Sequence, residues 1–184
     1  TTDASIQTNN LLYTTGGILE NIAPPSSSTI VVYQERIFLL TEDGSLWYSK
    51  KKQVGQPVEF TDSFVKSLSN TDGRVLGLGV IDSNFILFRA TKIETFSGQG
   101  PNNVGVGDDY GDPQFVTSDT GCVYRNSIGT TPNGLIFDSP KGRYLLDRSL
   151  QASYIGAPVE DYNDLTVTSS ALLSTKNEIR FLTL

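Results

Sequence analysis

Pairs of apolar residues two positions apart recur along this chain at intervals near fifty residues. Ile37, Phe85, Leu135 and Ile179 form one column and Leu39, Leu87, Phe137 and Phe181 another, with successive copies 48, 50 and 44 residues apart. A spacing of two puts both members of a pair on one face of an extended strand. Segments 36–40, 84–88, 134–138 and 178–182 are therefore predicted strands. Nine residues after the start of each of the first three comes a second β-like segment, at 45–49, 93–97 and 143–147. A constant short offset of this kind marks a hairpin. In the first hairpin, Asp43-Gly44 predicts a tight turn with both residues at positive φ.

Each hairpin has further β-like neighbours. Upstream lie 29–33, 75–81, 122–128 and 167–173; downstream lie weaker segments at 58–60, 114–116 and 154–155. Four strands in every 44 to 50 residues is the repeat of a β-propeller blade. No stretch keeps a 3.6-residue periodicity, so little or no helix is expected. The expected fold is all-β: a β-propeller or propeller segment of about four blades of four antiparallel strands, in one domain spanning 1–184. The blades are placed at 29–60, 74–116, 122–158 and 165–184. The last has two strands of its own. Leu11 and Tyr13 match Leu46 and Tyr48, so residues 10–22 are expected to complete that blade and remove its open edge. If the chain is a piece of a longer protein, the same pattern is an arc of a larger ring. A β-sandwich with similar hairpins is the alternative architecture.

Composition narrows the chemistry. Seventeen Gly and eight Pro supply the many short connections of an all-β chain, and 38% apolar with 18% charged residues suits a packed core. The longest apolar run, about four residues, is too short for a membrane-spanning helix or a signal-peptide core. Cys122 stands alone and cannot form an internal disulfide. The chain has no Met, so Thr1 is not an initiator and a fragment or domain is expected. It has no His, which removes most catalytic triads, most zinc sites and the commonest general base. A net charge of −6 argues against a surface that grips nucleic-acid phosphates.

Six features invite chemical readings. Thr41-Glu42-Asp43-Gly44-Ser45-Leu46-Trp47 resembles the Asp-box of sialidase-like propellers, although Asp and Gly are adjacent here. That motif fixes a turn and implies no glycosidase. The seven arginines (Arg36, Arg74, Arg89, Arg125, Arg143, Arg148, Arg180) show no grouping along the chain that would bind a substrate carboxylate. The loop 98–113 holds five glycines but lacks phosphate-loop spacing; its Asp108, Asp109 and Asp112 suit either a Ca²⁺ or a solvated surface. Lys50-Lys51-Lys52, near Trp47 and Tyr48, suits an edge-strand gatekeeper better than nucleic acid. Glu160, Asp161 and Asp164 could pair for glycoside hydrolysis, but nothing in their spacing requires it. Cys122 has no His to activate it and is expected to be a buried structural thiol. No catalytic, cofactor-binding or metal residue is assigned, and no enzyme activity is expected.

A family resemblance is carried by 12–21 with Pro24-Pro25, by 46–50, 96–102 and Gly121-Cys122, and by 141–146 and 154–160. These segments resemble the tail proteins of short-tailed double-stranded DNA bacteriophages, of the tail-hub or nozzle type with β-propeller domains. The likeness covers most of 11–162 and lies in framework strands and turns. It implies a virion structural protein, assembled in the host cytoplasm as a symmetric homo-oligomer around the channel through which the genome leaves. Other tail or portal-adjacent proteins would be its partners, with no tight nucleic-acid binding and no membrane contact. Members of that group are much longer chains. A carbohydrate-recognising propeller, with Trp47 and tyrosines as stacking platforms, is the second expectation. A cellular WD or kelch scaffold is a third, without a Trp-Asp dipeptide to support it.

Overall fold

β6 (Asn84–Phe88) carries Phe85, Ile86, Leu87 and Phe88, all fully buried, so it must be covered on both faces. The computed structural model, which describes residues 19–117, 119–176 and 178–184, meets that demand by stacking sheets on either side of it. Four antiparallel sheets of four, four, four and two strands follow one another along the chain. The first holds β1 (Thr29–Tyr33), β2 (Arg36–Leu40), β3 (Ser45–Tyr48) and β4 (Val65–Ser67). The second holds β5 (Gly77–Ile81), β6, β7 (Ile93–Phe96) and β8 (Gln114–Thr117). The third holds β9 (Gly129–Thr131), β10 (Gly134–Ser139), β11 (Gly142–Asp147) and β12 (Ala152–Tyr154). β13 (Val167–Leu173) and β14 (Glu178–Thr183) make the fourth. Every strand pairs with its chain neighbour. Two 3-10 segments, Arg125–Ser127 and Ala157–Tyr162, are the helical elements among the described residues.

The all-β expectation, the three hairpins and the paired strands of the fourth repeat stand, with corrections at three places. The segment 122–128 does not form the first strand of the third sheet. Cys122 turns inward and Arg125–Ser127 winds into 3-10 geometry, leaving Gly129–Thr131 to pair with β10. The outer strand of the first sheet is Val65–Ser67 rather than 58–60, and Phe60 instead makes an isolated bridge to Ile22. Asp43 does not have positive φ. Gly44 (φ 87°) takes that conformation alone, with Thr41 N donating to Ser45 O and Gly44 N to Thr41 O, a three-residue loop closed by a bulge. The mirror-image turn occurs one hairpin earlier, at Gln34 (φ 47°) and Glu35 (φ 62°). Of residues 10–22, expected to complete the last blade, 10–18 lie outside the described residues and 19–22 run beside the first sheet, where Lys50 Nζ donates to Leu19 O and Ile22 bridges to Phe60.

Alternation divides each strand between two seams. Phe38, Leu40, Leu46 and Tyr48 of the first sheet meet Leu78, Phe85, Leu87 and Phe96 of the second. Phe38 and Phe85 rings lie 4.7 Å apart, and Phe85 stacks on Phe96 at 4.5 Å. On the other side of the second sheet, Ile81, Ile86, Phe88 and Ile93 pack with Leu135, Phe137 and Leu146 of the third. The third and fourth sheets meet around Ile136, Arg143, Ile179 and Phe181. The repeated columns thereby gain a direction. Phe85 and Leu87, Leu135 and Phe137, and Ile179 and Phe181 each face the preceding sheet.

Close approach between sheets relies on missing side chains in their first strands. A Cβ at Gly79 would collide with Leu135 Cδ1, and one at Gly129 with Ile179 Cδ1. Leu135 is fully buried, whereas Ile179 borders an apolar groove of about 390 Å³ into which it can turn. Gly79→Ala is expected to lower stability by about 1–3 kcal/mol through overpacking, and Gly129→Ala by well under half of that. Chemical denaturation of the two variants checks the ordering.

Candidate functional site

Arg36 begins a strand that is otherwise Ile-Phe-Leu-Leu and shares the parity of Phe38 and Leu40, so its side chain enters the first seam. It is buried to 1% exposure. Its guanidinium carbon lies 5.4 Å from the Tyr48 ring centroid and 5.2 Å from that of Phe64. Nη1 donates to Ser49 O at 2.7 Å and Nη2 to Pro101 O, while Nε has no hydrogen-bond partner among the described residues. No carboxylate of the described residues lies within ion-pair distance of Arg36. Burial lowers its pKa, opposed by the neighbouring Tyr110, Tyr48 and Asp109.

Pro101 belongs to the Gly-rich loop that joins β7 to β8, and that loop is a strap laid across the first sheet. Gln34 Nε2 donates to Gly98 O at 2.9 Å, which ties the strap to the strained Gln34-Glu35 turn. Asn103 pairs with both backbone groups of Lys51. Tyr110 inserts into the first seam at 3% exposure, and Lys66 Nζ donates to its carbonyl at 2.8 Å. The three acidic residues do not converge. Asp109 Oδ1 accepts from Tyr48 Oη and from Tyr110 N, both at 2.7 Å. Asp112 lies 3.5 Å from Lys66 Nζ, and Asp108 is exposed. Among the described residues no group of three or more His, Cys, Asp or Glu side chains could hold a metal.

The remaining sequence candidates also take up structural roles. Lys50 is no exposed gatekeeper. It is 8% exposed, and its Nζ reaches Leu19 O at 2.9 Å, Asn21 Oδ1 at 2.6 Å and Glu59 at 3.6 Å. Asp43 accepts from the Thr41 hydroxyl and from Ser45 N and Oγ, which lowers its pKa and fixes the turn. Glu160, Asp161 and Asp164 are exposed, and the groove beside them is lined by Val159 and Tyr162 instead. Cys122 is buried, with Sγ directed to Tyr124 O at 3.2 Å and 3.5 Å from Ser127 Oγ; burial pushes the thiol up to about 11.

Two more arginines repeat the role of Arg36. Buried Arg89 pairs with Glu94 at 2.8 Å and donates through Nη1 to Ser69 O and Gly73 O, in the connection between the first two sheets. Arg143, 4% exposed, donates to Asn163 Oδ1 at 2.8 Å and Tyr162 O at 3.1 Å, in the connection to the fourth sheet. It lies 3.9 Å from Asp138, whose pKa is raised by burial and lowered by Arg143. Each arginine thus binds the connections of a different sheet, and the three do not gather at one site. Their signal in the sequence is a lone charge within or directly after an apolar strand.

Surface features differ from these internal ties. A cavity of about 210 Å³ opens where the chain enters the sheets, between Ser28, Val75, Tyr124 and Val167. At its rim Glu42 pairs with Arg125 at 3.1 Å and with Arg74 at 3.7 Å. On the first sheet, the face turned away from the second exposes Ile30 and Val32 beside an apolar groove of about 480 Å³ that includes Val54 and Val58. Among the described residues no helix is long and apolar enough to cross a membrane. The chain matches no protein-family model and no curated protein. Its geometry offers faces and grooves for binding.

Arg36→Ala leaves two buried carbonyls without donors, each worth about 1.5–3 kcal/mol when the donor is charged. A loss of about 3 kcal/mol is expected, together with new protease cleavage between residues 98 and 113 in limited digests. The alkaline limb of stability follows from burial. Tyr110 is pushed up to about 12 and Tyr48 and Tyr33 are raised from 10.0, while Cys122 is raised from 9.0. These groups lose protons more readily in the unfolded chain, so their contribution is complete below about pH 9 and is lost as pH rises from there through about 12. Denaturation midpoints measured across that range are expected to fall, and more steeply above pH 10 than below it.

Proposed function

We propose that this chain is a structural module of the tail of a short-tailed double-stranded DNA bacteriophage, of the tail-hub or nozzle type. In this reading it is a β-propeller, or an arc of one, of about four blades, the last completed by the N-terminal segment within 10–22. It packs in a symmetric assembly around the channel through which the genome leaves, beside other tail or portal-adjacent proteins. It acts by holding shape and presenting surfaces and has no catalytic role.

The observation that carries the reading is the successive stacking of sheets along the chain, with apolar Ile30 and Val32 exposed on the outer face of the first sheet among the described residues. Such a face suits a component of a larger assembly better than a free-standing monomer. Framework segments such as Leu46-Trp47-Tyr48-Ser49-Lys50 and Phe96-Ser97-Gly98-Gln99-Gly100-Pro101-Asn102 add the resemblance to phage tail proteins. The net charge of −6 is compatible with a wall past which a polyanion slides.

Antibodies against the chain, applied to virions of the encoding phage in immunogold electron microscopy, are expected to label the tail. Particles without label would overturn the proposal, as would reproducible binding of one sugar class on a glycan array.

A further inference from the structure

Among the described residues, the two ends of the sheet stack expose complementary faces. In the second, third and fourth sheets the repeated column faces the preceding sheet and is covered by it. The corresponding column of the first sheet, buried Leu39 and half-buried Ile37, has no sheet before it among the described residues. Across the ladder from that column stand Val32 and Ile30, each 65% exposed. At the far end, Ile179 and Phe181 of β14 turn back toward the third sheet, so Arg180 and Leu182 face forward, and Leu182 is 64% exposed. In the two earlier seams the forward residues, Phe38 with Leu40 and Ile86 with Phe88, are buried under the next sheet.

We infer that the forward face of the fourth sheet, centred on Leu182, docks on the open face of the first sheet of a second copy of this chain, around Ile30 and Val32. The contact continues the stacking that already joins sheets within one copy, and it deepens the assembly reading above, on which it rests. Glu35 and Lys52 border the groove on the first sheet and offer both signs of charge to Arg180 and Glu178. The joined surfaces differ, so the contact is head-to-tail and extends copy by copy into a ring or an arc.

Light scattering over a dilution series tests this with Ile30→Asp/Val32→Asp and Leu182→Asp variants of the full chain. The wild-type mass is expected to rise with concentration, and each variant to remain a monomer with an unchanged circular dichroism spectrum. An equimolar mixture of the two variants keeps one intact face of each kind, so it is expected to regain two-chain complexes and none larger. A wild type that is monomeric throughout overturns the inference. So do variants that assemble like wild type, or a mixture that stays monomeric. If a variant fails to fold, cross-linking replaces it: on a Cys122→Ser background, mixed Val32→Cys and Leu182→Cys chains are expected to form an interchain disulfide. Absence of that adduct overturns the inference, as does an intrachain link in the chain carrying both cysteines. None of these results depends on where the protein resides in a virion.

Discussion

A sheet that is apolar on both faces has to be covered on both, and this requirement organises the molecule. It is sharpest in the second sheet, where Phe85 and Leu87 point one way and Ile86 and Phe88 the other, all without solvent contact. A side chain of this size, fully buried, contributes roughly 1.5–3 kcal/mol. A strand of this kind therefore cannot form as part of a lone sheet. Neighbouring sheets arrive with matching alternation, and small residues at Gly79 and Gly129 let them approach.

Stacking leaves the connections to be fastened, and buried guanidinium groups do this. Arg36, Arg89 and Arg143 each spend their donors on backbone carbonyls of irregular segments: Ser49 and Pro101, Ser69 and Gly73, and Tyr162. One charged group supplies several donors in a fixed fork, which suits carbonyls that no ladder satisfies. Arg89 and Arg143 have carboxylates nearby, whereas Arg36 lies among aromatic rings and the dipoles of the strap. The aromatic character of the first seam, with Tyr48, Phe64 and Tyr110 around that charge, follows from it.

Much of this frame was legible in the chain, because alternation in segments such as 36–40 and 84–88 reports burial on strand faces directly. The errors have physical causes. β9 is Gly-Thr-Thr, too small and polar to announce itself, while the more apolar 122–128 is drawn inward as a plug under the second seam. β4 has one apolar residue, and the aromatic Phe60 that outranked it is used to seat Ile22. Positive φ at Gln34 and Glu35 has no local signal, since the turn is held by hydrogen bonds to a strap sixty-four residues away. The strap itself was conspicuous for its glycines. Its role was hidden because every partner, from Pro101 with Arg36 to Asp109 with Tyr48, is distant in sequence.

The seams are filled unequally, and this sets an order of yielding under force. Interlocked rings and a hydrogen-bonded strap clamp the first seam, whereas the third opens onto a groove and holds, among the described residues, a two-stranded hairpin. An antiparallel hairpin pulled from its free end unzips one rung at a time, which resists tension far less than shearing a whole ladder. Tension on β14 therefore peels that strand and then β13 away, uncovering Arg143 beneath Phe181 well before it reaches Arg89 or Arg36. On this packing, the first three sheets form the stiffer block and the β13–β14 hairpin the more compliant part.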